Sequence, residues 1–482
     1  MSEPLLSQQL LSKIPLDEVI FHPHSFGDPQ VRLFRWRGQL YRGIGSRAVP
    51  FFQRLFQDGI VQHLTEKGLL IESAIAPLTI DRYEMAIHHR TLPFASYPNE
   101  WCGAMFKDAA LTTLNLAIEL APYGLTLGDA HPWNVLFDLE SNKPVFVDLG
   151  SIVPIGSATW PVYDEFCRYC LYPLVLMSQG QDRIARLLLC EDEGVLGSDL
   201  LRLSRSPSKP NLPLLSRAES VLRQLLPQST LQQLKKRFGR DAPSSGDALE
   251  KMRQGSHLRF LENIRSEVEN ISFPSFEEDC AHDRETATVS LAPQEDWNLK
   301  QRNLYRIMAA LNPRSVLDIG CDRGWHSKLA AMAERNVIAL DTNPACITQL
   351  YKESCRKQLP ILPLLIDFTK PTPARGLANH WAIAATERFP CDLVLALGAI
   401  HTIVLERRLN FSQIVEGLDL FSKRWVLVEF IPREDSDVTE RWTERIAWYT
   451  LDNFIDALKQ RFSTVSVMPS YPDPRVLLLC EK

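Results

Sequence analysis

The sequence predicts two folded domains: an α+β N-terminal domain, and an α/β C-terminal domain built on a doubly wound, mostly parallel sheet. Three observations lead there. The chain has 482 residues, more than one hydrophobic core normally organises. From residue 295 onward short apolar runs alternate with amphipathic stretches, which is the strand–helix rhythm of a parallel sheet. In the N-terminal half a hairpin-like alternation is followed by helical periodicity instead. The expected domains are 1–275 and 295–482, and the polar, acidic stretch 276–294 reads as the linker between them.

In the C-terminal domain LKQRNLYRIMAAL carries apolar residues at helical spacing and SVLD (315–318) is a short buried strand. WHSKLAAMAE is a helix, NVIALD (336–341) a strand and ACITQLYKESC a helix. ILPLLID (361–367), CDLVLALG (391–398) and RWVLVEFI (424–431) continue the strands, and TLDNFIDALKQRF is the next helix. STVSVM and RVLLLC, joined by a proline-rich turn, are expected to add an antiparallel pair at the edge of the sheet.

Ligands of such sheets bind at the carboxyl ends of the strands. Asp318, Asp341 and Asp367 follow the first three apolar runs. Acids at three consecutive strand ends either lie buried without partners or face a polar ligand. After Asp318 comes GCDRG, where Gly320 and Gly324 allow close backbone approach. S-adenosylmethionine suits this arrangement. Its ammonium wants a carboxylate near the first turn, its ribose hydroxyls match Asp341, and its adenine amino group matches Asp367. A dinucleotide fits less well, because the GxGxxG pattern lacks its middle glycine and Asp322 repels phosphate.

DIGCDRG resembles the first motif of the class I S-adenosylmethionine-dependent methyltransferases, with Asp322 in place of the usual middle glycine, and LALGAIHTI matches their substrate-facing segment. The resemblance covers roughly 295–482. It implies a Rossmann-like sheet of seven strands with the last one antiparallel. It also implies cofactor contacts from Asp318, Gly320, Cys321, Gly324, Asp341, Thr342, Asp367, Phe368 and Leu397. Methyl transfer needs alignment and, for a hydroxyl acceptor, removal of a proton. His401, just past the fourth strand, is the candidate base, set against a role as a helix-capping or core-edge histidine. Glu429, at the end of the fifth strand, is the candidate for orienting substrate.

In the N-terminal half VRLFRWRGQLYRGIG alternates like a hairpin turning at Arg37-Gly38, and PFFQRLFQDGIVQHLTEKGLL is amphipathic and helical. GDAHPWNVLFD followed by PVFVDLG resembles the catalytic loop and metal-binding segment of protein-kinase-like and aminoglycoside-phosphotransferase-like domains. That likeness implies Asp129 as base, with Asn134 and Asp148 holding magnesium beside the phosphates of ATP. The departures are Arg42 where a strand lysine is expected, Leu127 where relatives carry histidine, and a sparse glycine loop at Gly43 and Gly45. A structural role for Asp129 and Asn134 in a tight loop stays open.

The order YRGI, SYPNEW, FKDAALTTLNLAIEL, GLTLGDAHPWNVLFD, VFVDLGSI, LDIGCDRGWHS, VEFIPRED resembles bacterial two-domain methyltransferases related to a rhizobial nodulation protein. The likeness implies a small-molecule or glycan-type acceptor, with a binding or regulatory role for the kinase-like domain. The alternatives are a bifunctional methyltransferase and phosphotransferase, and a pseudoenzyme that uses both folds as interaction surfaces.

Other classes are disfavoured. A net charge of -5 and pI near 6.2 supply no global field for nucleic acid, no basic recognition helix is evident, and no NPPY-type motif follows the fourth strand. No apolar run is long enough to span a bilayer. The N-terminus reads as a short amphipathic helix rather than a secretory signal. Ten scattered cysteines fit reduced thiols and a cytoplasmic location. The pair Cys167 and Cys170 lacks a second pair of zinc ligands.

Overall fold

The computed structural model describes residues 12–22, 25, 28–156, 160–203, 246–274, 289–290 and 293–482. They form two compact units. The first comprises Met1–Pro93, Phe106–Leu136 and Pro144–Ser272, and the second comprises Phe94–Met105, Phe137–Lys143 and Phe273–Lys482. This differs from the expected 1–275 and 295–482, because two short early segments belong with the late one. The Pro-rich stretch 204–216 and most of 276–294 lie outside the described residues.

The second unit holds β1 (Ser315–Ile319), β2 (Asn336–Asp341), β3 (Ile361–Leu365), β4 (Cys391–Ala396), β5 (Ser422–Phe430), β6 (Thr464–Pro469) and β7 (Val476–Glu481). They make one seven-stranded sheet in the order β3-β2-β1-β4-β5-β7-β6. β1 to β5 pair in parallel and β7 runs antiparallel to both β5 and β6. The order reverses between β1 and β4, which is the switch point where a crevice opens beyond the strand ends. β1 and β3 are buried at every position, as strands covered on both faces must be.

Helices α1 (Leu299–Leu311), α2 (Trp325–Met332), α3 (Pro344–Lys357), α4 (Ile400–Arg407), α5 (Phe411–Phe421) and α6 (Leu451–Lys459) join or flank the strands. α1 and α5 begin with reciprocal capping boxes, Asn298 with Gln301 and Asn410 with Gln413. Phe411, Phe430, Tyr449 and Phe454 cluster between α5, α6 and β5.

Two segments from early in the chain complete this unit. Glu100, fully buried, is bridged by both terminal nitrogens of Arg388, one of them at 3.0 Å from Oε2. The same guanidinium lies 3.9 Å from the Tyr97 ring centroid and donates to the Ala95 carbonyl. The Tyr97 hydroxyl accepts from the Ile383 amide, and the Trp101 indole donates to Ser96. Trp101 packs edge-on to Phe137, and Phe137 to Tyr351. SYPNEW is therefore a built-in part of this unit.

The first unit carries a five-stranded antiparallel sheet. Its spatial order is Ile20–Phe21, Val31–Trp36, Gln39–Ile44, Met85–His89, Ser73–Ala76. The central hairpin turns at Arg37 and Gly38, both with positive φ, as a two-residue turn between twisted strands demands. The predicted amphipathic stretch divides at Gly59 into Val49–Gln57 and Ile60–Glu66. The expected N-terminal helix is corrected where it can be followed: Ser12–Ile14 is a strand paired in parallel with Leu78–Ile80. Cross-strand pairing overrides local amphipathic pattern there. Among the described residues no helix is long and apolar enough to cross a membrane.

Candidate functional site

A cleft of about 740 Å³ opens at the switch point of the second unit. One wall is the turn from Gly320 to His326. The other walls come from Leu397 to Thr402, from Glu429 and Ile431, and from Ser436 to Arg441 with Arg475 and Lys300. Of the expected residues, Gly320, Cys321, Gly324, Leu397, His401 and Glu429 line it. Asp318, Asp341, Thr342, Asp367 and Phe368 do not.

The turn is shaped by three left-handed residues: Gly320 at φ +71, Asp322 at φ 48 and Gly324 at φ +74. Aspartate is one of the few side chains that tolerate this region, which explains how Asp322 stands where glycine is usual. A Cβ on Gly324 would lie 2.6 Å from Leu350, whereas one on Gly320 would meet only Ala399 at 3.6 Å. Asp341, at the end of β2, fixes the turn from beneath by accepting from the amides of Asp322 and Asn343, both at 2.9 Å. Burial raises the Asp341 carboxyl above its ordinary value.

Asp318 sits deeper than expected. It is 1% exposed and accepts from the Ser327 hydroxyl at 2.6 Å, so it anchors the start of α2. Burial, with Asp341 nearby, pushes its carboxyl up to about 6. Asp367 accepts from Thr369 and pairs with Arg407 at 3.2 Å. Phe368 packs beside Phe421, and Thr342 is exposed. Burial holds the Cys321 thiol well above its ordinary value.

On the facing wall His401 is held down to about 4, chiefly by burial, and is neutral at physiological pH. Its Nε2 lies 3.3 Å from the Thr402 hydroxyl, and its buried Nδ1 has no hydrogen-bond partner among the described residues. Glu429 is fully buried at the end of β5, where it accepts from Ser470 at 2.5 Å and lies 3.8 Å from the Lys300 ammonium.

Several lining residues escaped sequence reasoning. Lys300 looks like the polar face of an amphipathic helix, yet it is 8% exposed and part of the cleft. Arg475, just before β7, is gripped by Asp435 through Nε and Nη2 and by Asp437 through Nη2. Nη1 is the guanidinium nitrogen with no hydrogen bond in this set. Asp435 was not singled out from sequence, because its partner lies forty residues away.

In the first unit Asp129 follows the strand Leu125–Leu127 and accepts from the His131 amide at 2.8 Å. Burial raises its carboxyl. Glu165, not anticipated from sequence, neighbours it and is pushed up to about 7 by burial and by Asp129. Asn134 ends the turn Pro132–Asn134. Asp148 accepts from the Gly150 amide and the Ser151 hydroxyl and pairs with Arg42 at 2.7 Å. Burial alone would raise it, but Arg42 and these hydrogen bonds bring it below the ordinary carboxylate range. Among the described residues no three of His, Cys, Asp and Glu converge as a metal cage.

No family model matches the chain. It is 25% identical over 454 residues to nodulation protein NoeA of Rhizobium meliloti (strain 1021), covering 92% of each chain. Among solved structures, the bifunctional kinase-methyltransferase WbdD matches at 16% identity and TM-score 0.28, over 38% of this chain and 40% of WbdD. The chain thus spans less than half of that protein. Magnesium protoporphyrin IX methyltransferase from Synechocystis PCC 6803, solved with bound S-adenosylmethionine, matches at 13% identity and TM-score 0.27, over 40% of this chain and 88% of that one. The chain is thus similar to that nodulation protein over nearly its whole length, and its second unit holds one seven-stranded sheet in the order β3-β2-β1-β4-β5-β7-β6.

Proposed function

We propose that the second unit transfers a methyl group from S-adenosylmethionine to an oxygen of a polar small molecule or glycan-type acceptor. The observation that carries this reading is the cleft itself: a turn of left-handed residues on one wall, and a histidine held neutral by burial on the other. Bound there, the donor supplies a methyl group on a sulfonium, an electrophile that needs alignment more than activation.

The turn Gly320–Gly324 with Cys321 takes the amino-acid end of the donor. Asp318 adds negative charge beneath it, and Asp341, already oriented by two backbone amides, takes the ribose hydroxyls. Asp367 takes the adenine amino group, with Thr342, Phe368 and Leu397 beside the nucleoside. His401 takes up the acceptor's hydroxyl proton, with Thr402 beside its Nε2. Glu429, fixed by Ser470 and Lys300 at the end of β5, orients the substrate. The polar lining, with Arg475 offering Nη1, favours an acceptor rich in hydrogen-bonding groups over a flat apolar one.

The first unit is read as kinase-like with a binding or regulatory role. Arg42 lies on the third strand of its five-stranded sheet, the strand where protein kinases carry their phosphate-binding lysine. The test is donor binding to the full chain by calorimetry. S-adenosylmethionine is expected to bind and to raise the melting temperature, and Asp341→Asn to abolish both. Failure of the wild-type chain to bind the labelled donor would overturn the reading.

A further inference from the structure

We infer that the first unit carries its own cation where a divalent metal would sit: the Arg42 guanidinium is locked onto Asp148 and closes that carboxylate to magnesium. The kinase-like reading supplies only the expectation of a metal, since the ion pair stands without it.

Three contacts make the lock. Arg42 Nη2 is 2.7 Å from Asp148 Oδ1, with the arginine side chain 5% exposed. The Gly150 amide donates to the same oxygen at 3.2 Å, and the Ser151 hydroxyl donates to Oδ2 at 2.5 Å. Both carboxylate oxygens are thereby occupied by donors of this chain.

The far side of the guanidinium is fixed as well. Arg42 Nε donates to His89 Nε2 at 3.3 Å, which requires that nitrogen to be unprotonated. Ser73 Oγ donates to the Ile71 carbonyl at 2.9 Å and so accepts from His89 Nδ1 at 2.8 Å. The network assigns one neutral tautomer to His89, in agreement with burial holding that imidazole down to about 3. The backbone is shaped to the same cation, because a Cβ on Gly150 would lie 2.5 Å from Arg42 Nη1.

Magnesium demands near-octahedral oxygen ligands at about 2.0–2.1 Å and gives up its waters reluctantly. It gains little from a carboxylate whose two oxygens already take three donors and beside which a fixed guanidinium repels it. Arginine also cannot lose its proton to make way. Asp148 therefore acts as a structural pivot joining the third strand to the segment Asp148–Ser151.

The test uses the full chain with Mn²⁺ as probe, following the free-ion resonance by electron paramagnetic resonance with and without ATP. Wild type and Asp148→Asn are expected to give superimposable titrations. Uptake of one ion per wild-type chain that Asp148→Asn lacks would overturn the inference. So would phosphoryl transfer from magnesium–ATP that the same substitution abolishes. A second measurement concerns the pair itself: Arg42→Met, Asp148→Asn and the double variant are compared by calorimetric melting. The double variant is expected to melt no lower than the worse single one, and additive losses would refute the lock. Should Arg42→Met fail to fold, Arg42→Lys keeps the charge and is expected to match the wild-type Mn²⁺ titration, whereas an Asp148-dependent ion in that variant counts against it. These readouts are independent of methyl transfer, so failure here leaves the donor-binding result untouched.

Discussion

Replacing Gly324 by alanine separates what the turn does for the fold from what it does for a ligand. At φ +74 any side chain is strained, by about 1–2 kcal/mol for a left-handed residue. The new Cβ would also lie 2.6 Å from Leu350 Cδ1 and 3.2 Å from its Cγ. Leu350 is fully buried on α3 and has nowhere to retreat, so overpacking adds about 1–3 kcal/mol. The combined cost is roughly 2–5 kcal/mol to the second unit. Gly320→Ala carries the same kind of backbone strain at φ +71, but its Cβ meets only Ala399 at an ordinary 3.6 Å. Its stability cost stays near 1–2 kcal/mol. Its methyl group, however, enters the lining of the cleft. Scanning calorimetry of both variants, with donor titration of each, is expected to show Gly324→Ala as the greater loss of stability and Gly320→Ala as the greater loss of donor affinity relative to its melting shift. Equal destabilisation, or a Gly320→Ala variant that binds the donor like wild type, would refute this account of the turn.

Two further outcomes are expected. Glu100→Ala leaves the Arg388 guanidinium buried without its carboxylate, which costs about 3–5 kcal/mol in the second unit; a melting curve within experimental error of wild type would show that SYPNEW is not structural there. His89 has a folded pKa near 3, well under its ordinary 6.5, so between those values the unfolded chain binds the extra proton. Its contribution to stability is complete above pH 6.5 and declines by up to about 1.4 kcal/mol per pH unit as pH falls toward 3. Comparison of acid unfolding of His89→Gln with wild type checks this, and an unchanged slope through that window would contradict it.

Much of the second unit was legible because its strands are short apolar runs bounded by turns. NVIALD is a strand over the residues expected, and the other runs fall within a few residues of their observed ends. The edge pair was also expected, but not that β7 would lie between β5 and β6. Asp318 was expected to meet a ligand, yet it faces Ser327: sequence places an acid near a strand end without saying which way its oxygens point. Lys300 and Arg475 were missed for a complementary reason. Their burial arises from partners brought close by the sheet, Glu429 for one and Asp435 for the other, and local periodicity carries no trace of such pairs. In the first unit GDAHPWN and the following aspartate stood out, while the pairing of Asp148 with Arg42 could not be read before the hairpin carrying Arg42 was folded against it.

The Glu100–Arg388 pair also bears on how the protein is born. Its partners are 288 residues apart, so a ribosome at about 5–20 residues per second releases the carboxylate many seconds before the arginine that neutralises it. Through that interval Phe94–Met105 waits outside any finished core, and the late sheet cannot mature by vectorial folding from residue 295 alone. Long-range closures of this kind slow folding and lengthen the exposure of apolar surface.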